Sequence, residues 1–158
     1  MQVNLKINGR EHIVDVPPDE FLLTTLRRLG YLGTRQGCDT STCGVCTVHV
    51  DGKAVLSCTI LTCRLDGHEI TTIEGVEKEA EIIGKYLVAE GVEQCGYCSP
   101  GLIMSILYLE KCVQNPADTT DEEILHYLNG NLCRCSGYEG QLRAIKKYLE
   151  VKYGAGSK

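Results

Sequence analysis

The stretch GCDTSTCGVCTV, residues 37–48, carries three cysteines, Cys38, Cys43 and Cys46, separated by four residues and then by two. A fourth, Cys58, ends the apolar segment AVLSC at 54–58. Downstream, QCGYCSP at 94–100 supplies Cys95 and Cys98, and NLCRCSGY at 131–138 supplies Cys133 and Cys135. Ten cysteines in an exported chain would suggest disulfides; in a reducing compartment they point to metal ligands or catalytic thiols. The N-terminus, MQVNLKINGR, alternates apolar and polar residues and lacks the basic-then-apolar order of an export signal. The Arg27–Arg28 pair is followed by no apolar signal core. The chain therefore reads as cytoplasmic.

Spacing then chooses among metals. Two irons bridged by two sulfides need two thiolates each, and C-x4-C-x2-C…C is the plant-type 2Fe–2S arrangement. Gly37 and Gly44 permit tight turns that leave main-chain N–H groups free to face the sulfurs. A tetrahedral zinc site would accept the same four thiolates, although zinc ribbons usually pair one C-x2-C with another. In the second set, Cys95 and Cys98 are expected to grip one iron, and Cys133 and Cys135 the other. The first two precede a helix start at Ser99-Pro100, where the helix dipole favours thiolate. Zinc stays the alternative for both sets.

Residues 1–75 read as a small α+β domain. Val3, Leu5 and Ile7 alternate, NG at 8–9 signals a hairpin, and HIVDV at 12–16 returns. Asp19 is placed to cap a short helix with Leu22, Leu23 and Leu26 on one face. VCTVHV and AVLSC flank the turn DG at 51–52, and HEITTI at 68–73 gives a further strand. Residues 76–158 switch to the helical period. Val76, Ala80, Ile83 and Leu87 share a face, with Gly91 as the stop. Ser99 and Pro100 open a second helix carrying Leu102, Ile106, Leu109 and Val113. Thr120 and Glu123 have capping-box spacing for a third, which ends at Gly130, and Leu142, Ile145 and Leu149 mark a fourth. These stripes predict a four-helix bundle held by core packing. The tail YGAGSK is expected to fray.

With 16 basic and 21 acidic side chains, the net charge is −5 and no basic patch supports nucleic-acid binding. No apolar run is long enough to span a bilayer. Cys63 and Cys112, outside both sets, are expected to pack as small apolar residues. His12, His49, His68 and His126 read as structural or exposed, and Lys146-Lys147 as a solvated helix face.

GCDTSTCGVCTV and QCGYCSPG…GNLCRCSGY, in this order, resemble the iron–sulfur subunit of the molybdenum hydroxylases, the xanthine dehydrogenase family. The resemblance runs from Val3 to about Leu149 and takes in eight cysteines. It implies a β-grasp, plant-type ferredoxin domain with one 2Fe–2S cluster on Cys38, Cys43, Cys46 and Cys58. A helical domain would hold the second on Cys95, Cys98, Cys133 and Cys135. By the same resemblance, Gln94 would hydrogen-bond the pterin of a molybdopterin cofactor held by a large partner subunit, and Cys135 would touch the pterin edge. FAD would sit on a medium partner subunit facing the first cluster, in a dimer of heterotrimers. The family hydroxylates aldehydes or aromatic heterocycles, and this chain would carry the electrons away without substrate chemistry of its own. Ser99 and Ser136 stand where many relatives have threonine, and EGQL after Tyr138 departs from the family pattern. Two other readings stay open: a freestanding two-cluster ferredoxin, and a zinc-stabilised binding module.

Overall fold

Alternation in the first residues gives β1 (Gln2–Ile7), whose inward Val3, Leu5 and Ile7 are buried. The computed structural model describes residues 1–154. At Asn8-Gly9 the chain reverses with both φ angles positive and returns as β2 (Arg10–Asp15), antiparallel to β1. A second turn of the same kind at Asp51-Gly52 joins β3 (Thr47–Val50) to β4 (Lys53–Leu56). Positive φ at both turn residues matches the right-handed twist of the strands, which is why NG and DG are effective there. With β5 (Glu69–Thr71), the strands form one sheet in the order β2-β1-β5-β3-β4. β5 runs parallel to β1 and antiparallel to β3, so the sheet is mixed.

Across this sheet lies α1 (Leu22–Arg28), which sinks Leu22 and Leu26 into the core made by Leu5, Ile7, Val48 and Ile70. Its N-cap is Phe21, without a side-chain cap, so the expected cap at Asp19 is not formed. The buried hydroxyls of Thr25 and Thr62 pair at 2.7 Å, and Thr25 also donates to Glu20 at 2.6 Å. These bonds tie α1 to the segment that follows Cys58. The result is the predicted α+β ferredoxin-like half.

A short 3-10 turn, Ile73–Gly75, leads to the helical half. Its helices are α2 (Glu77–Ala89), α3 (Ser99–Cys112), α4 (Asp121–Tyr127) and α5 (Glu139–Gly154). The Thr120–Glu123 capping box forms as expected. Ser99 is not the N-cap of α3: Cys98 holds that position, and the Ser99 hydroxyl donates to both Glu93 carboxylate oxygens at 2.8 Å. A serine beside an acidic loop residue has a stronger acceptor than a cap geometry would offer. Tyr153 and Gly154 lie in α5, so fraying does not begin there; the rest of the tail lies outside the described residues.

α3 is buried almost all round because it is shared. One side packs on Ile83, Leu87, Ile145 and Leu149 of α2 and α5, and the other lies against β3. There the buried His49 ring meets the Met104 carbonyl at 2.8 Å. The carbonyl can only accept, so Nε2 carries the proton. At the far end of α3, Glu110 accepts from Lys152, Tyr148 and Tyr153 and locks α3 to α5. Lys146 and Lys147 pair with Asp121 and Glu90, making that face an ion-paired one and not merely solvated.

Candidate iron–sulfur sites

The first thiol loop leaves α1 and runs to β3. Main-chain N–H groups of Thr42, Cys43 and Thr40, together with the Cys43 thiol, point at the Cys38 sulfur. Led by the Thr42 N–H, these donors lower the Cys38 pKa to about 6. Donors gathered around sulfur stabilise its anion, which is the form that binds metal. Cys43 is shifted upward, chiefly by burial. Burial likewise lifts Cys46 to about 11, with the Cys58 thiol beside it. The Ser57 hydroxyl donates to the Cys46 carbonyl at 2.8 Å, and Cys58 donates to the Ser41 hydroxyl at 3.5 Å. Two sulfur pairs result: Cys38 with Cys43, and Cys46 with Cys58.

In the second set, the Cys135 and Cys95 sulfurs lie 3.6 Å apart. Cys98, pushed up to about 12 first by burial, has the Cys133 thiol as its neighbour. Burial also opposes ionisation of Cys133, but the Ser136 hydroxyl and N–H, at 3.2 and 3.4 Å, together with the Cys135 N–H and the Cys98 thiol, outweigh it and leave its pKa lowered. The pairs are therefore Cys95 with Cys135 and Cys98 with Cys133. The expected division, Cys95 with Cys98 and Cys133 with Cys135, is not the one these contacts give. Cys98, at the N-cap of α3, is partly buried, while Cys95 stays exposed on the loop.

The two sets are close neighbours. Cys38 and Cys43 line one cavity of about 500 Å³ together with Cys95, Cys98, Cys133 and Cys135. Gly44 and Gly101 make the approach possible. A Cβ on Gly101 would lie 2.4 Å from the Gly44 carbonyl oxygen, and one on Gly44 would lie 2.3 Å from that of Gly130. Both distances are far inside contact, so only glycine fits.

Thiols in pairs fit a two-iron group, in which each iron takes two thiolates. A lone zinc ion, by contrast, needs its four ligands around one centre. Gln94 is exposed beside exposed Cys95 and Cys135. Cys63 is half-buried against the first core, as expected, and its thiol donates to the Pro18 carbonyl at 3.3 Å. Cys112 is exposed on the last turn of α3, against the expectation that it would pack. Arg35 and Tyr97, which bridge the two loops, carried no signal in the sequence, because 61 positions separate Arg35 from its acceptor Gly96.

Fold and thiols together define a two-centre 2Fe–2S protein of the electron-transfer class. Models of a 2Fe–2S iron-sulfur cluster binding domain and of a 2Fe–2S binding domain match residues 5–72 and 72–146. The xanthine dehydrogenase iron-sulfur-binding subunit of Escherichia coli O157:H7 is 40% identical over 140 residues, 87% of either chain. The nicotinate dehydrogenase small FeS subunit of Eubacterium barkeri is 37% identical, over 96% of this chain and 92% of that one. An aldehyde oxidoreductase structure from Desulfovibrio gigas superposes with a TM-score of 0.86 at 35% identity. That match covers 99% of this chain but only 18% of the oxidoreductase. The chain belongs to the iron–sulfur subunits of the molybdenum hydroxylases, the xanthine dehydrogenase family. No helix among the described residues is long and apolar enough to cross a membrane.

Proposed function

We propose that this chain works between a molybdenum-binding large subunit and a FAD-binding medium subunit, carrying electrons from the first to the second in the cytoplasm. The observation that carries the reading is the gathering of eight cysteine sulfurs as four pairs, three of which line one interdomain cavity. Residues 1–75 would hold one cluster through Cys38 and Cys43 on one iron and Cys46 and Cys58 on the other. Residues 76–158 would hold the second through Cys95 with Cys135 and Cys98 with Cys133. When bound, each cluster supplies a one-electron carrier. The protein's own part is to fix the thiolates, aim donors at sulfur and shield the inner ligands from water. Cys43 and Cys46 are buried. Cys95 and Cys135 are exposed next to Gln94, whose amide is free to hydrogen-bond a pterin edge presented by the large subunit. Phe21 and Cys58, both partly exposed, border a second recess near the first set and form the face offered to the flavin subunit.

Anaerobic purification of the tagged chain from its own host, given molybdate, tests this directly. About four irons and about four acid-labile sulfides per chain are expected, together with a large partner containing molybdenum. Iron without molybdenum would favour a freestanding shuttle. Zinc in place of iron would defeat both redox readings. The relatives act on different substrates by name, xanthine and nicotinate among them; the pocket that decides belongs to the large subunit.

A further inference from the structure

Tyr97 sits between Cys95 and Cys98, yet its principal contacts are with the other half of the molecule. Its hydroxyl donates to the Gln36 carbonyl at 2.8 Å, two residues before Cys38. In return, the Arg35 guanidinium donates to the Gly96 carbonyl at 2.5 Å and lies 5.2 Å from the centre of the Tyr97 ring. Each thiol loop thus holds the other's backbone, and a cation–π contact closes the ring of interactions. Arg35 is only half exposed. Among the described residues no carboxylate pairs with it, although Arg28 and Arg143 both have one. Its positive charge therefore lies at the contact between the two thiol loops, with no carboxylate in ion-pair contact.

We infer that Arg35 and Tyr97 are positioning residues for electron transfer: Tyr97 fixes the Cys95–Cys98 loop against the Cys38 loop, and Arg35 makes both clusters easier to reduce. This rests on the two-cluster reading above. Reduction adds negative charge to a cluster already ligated by four thiolates. A fixed cation shared by both sites favours the reduced form of each, and partial burial leaves it poorly screened. Lysine would keep the charge but not the planar fork that spans Gly96 and the Tyr97 face. Arg35→Gln keeps an amide donor but removes the charge, and with it the cation–π contact to Tyr97.

The experiment is a redox titration of the anaerobically isolated full chain with its partners, following the reduced clusters by electron paramagnetic resonance. Iron content is measured on every variant. In Arg35→Gln both midpoint potentials should move negative at unchanged iron, and Arg35→Lys should restore most of the shift. In Tyr97→Phe the potentials should stay near wild type, while the magnetic interaction between the two reduced clusters weakens or broadens. Unmoved potentials in a fully loaded Arg35→Gln protein, or movement of only one cluster, would overturn the assignment of a shared charge. An unchanged interaction in Tyr97→Phe would overturn the positioning role. A wild-type chain lacking two reducible clusters would overturn the electron-transfer reading as well, so the two failures are distinct.

Discussion

The Leu132 N–H donates to the Cys43 carbonyl at 2.9 Å, joining the two thiol loops main chain to main chain. Leu132 is the immediate neighbour of Cys133, so each loop's ligand geometry depends on the other's backbone. The Asn131 side chain reaches the Gly44 carbonyl at 3.5 Å, next along the same strip. The site is a single seam between two halves.

Gly101→Ala should lower stability by about 1–3 kcal/mol, the usual cost of overpacking. Alanine would favour the helix by up to about 1 kcal/mol. Its methyl, however, would meet the Gly44 and Val45 carbonyl oxygens at 2.4 and 2.7 Å, and these are backbone atoms that cannot swing aside. The clash wins. Denaturant midpoints of the loaded protein check this, and a midpoint at or above wild type would show that the loop yields freely.

Cys46→Ser should abolish the signal of the first cluster alone, and Cys98→Ser that of the second. Each should leave about half the iron, since each centre holds two atoms. Cys63→Ser and Cys112→Ser should leave iron content unchanged. Iron analysis and electron paramagnetic resonance on the four variants decide it. Loss of both centres from a well-folded Cys46→Ser protein would mean that the sets do not load separately.

Ser136→Ala should shift the second cluster to a more negative potential and leave the first where it was. The Ser136 hydroxyl donates to the Cys133 sulfur at 3.2 Å, and a donor to sulfur favours the more negative, reduced state. Ser136→Thr should stay close to wild type because the hydroxyl is kept. Redox titration of both signals in each variant is the check.

Acidification should weaken the packing of α3 on the sheet through His49. Burial lowers the pKa of this ring below its ordinary 6.5, so the folded state holds it neutral. Below pH 6.5 the unfolded chain binds the extra proton first, and stability must then rise with pH. The contribution is therefore whole above 6.5 and declines as pH falls toward the folded-state value. Denaturant midpoints across this window should show a slope that is smaller in His49→Gln.

The eight ligand candidates were legible because cluster chemistry imposes short, rigid spacings that survive in one dimension. The helices were legible for a related reason: Ile83, Leu87, Ile145 and Leu149 keep the period of a buried face. Pairing was not legible. C-x2-C invites a local pair, but whether two neighbouring cysteines face the same iron depends on where the helix begins. In the structure the sulfur neighbours are Cys95 with Cys135 and Cys98 with Cys133. The caps expected at Asp19 and Ser99 do not form, because Phe21 starts α1 without a side-chain cap and Glu93 captures the Ser99 hydroxyl. Arg35 and Tyr97 acquire their roles only when the halves meet, and no periodicity records that meeting.

The fit of Gly101 against Gly44 bears on how such a chain can be reused. Two cluster-binding halves of similar length invite treatment as interchangeable modules. A graft of the β half alone, however, would carry away a Cys43 carbonyl stripped of its Leu132 donor. A graft of the helices alone would bare the glycine face of α3 to water. The smallest portable cassette is therefore the whole two-centre chain, and chimaeras between relatives should cross over outside it.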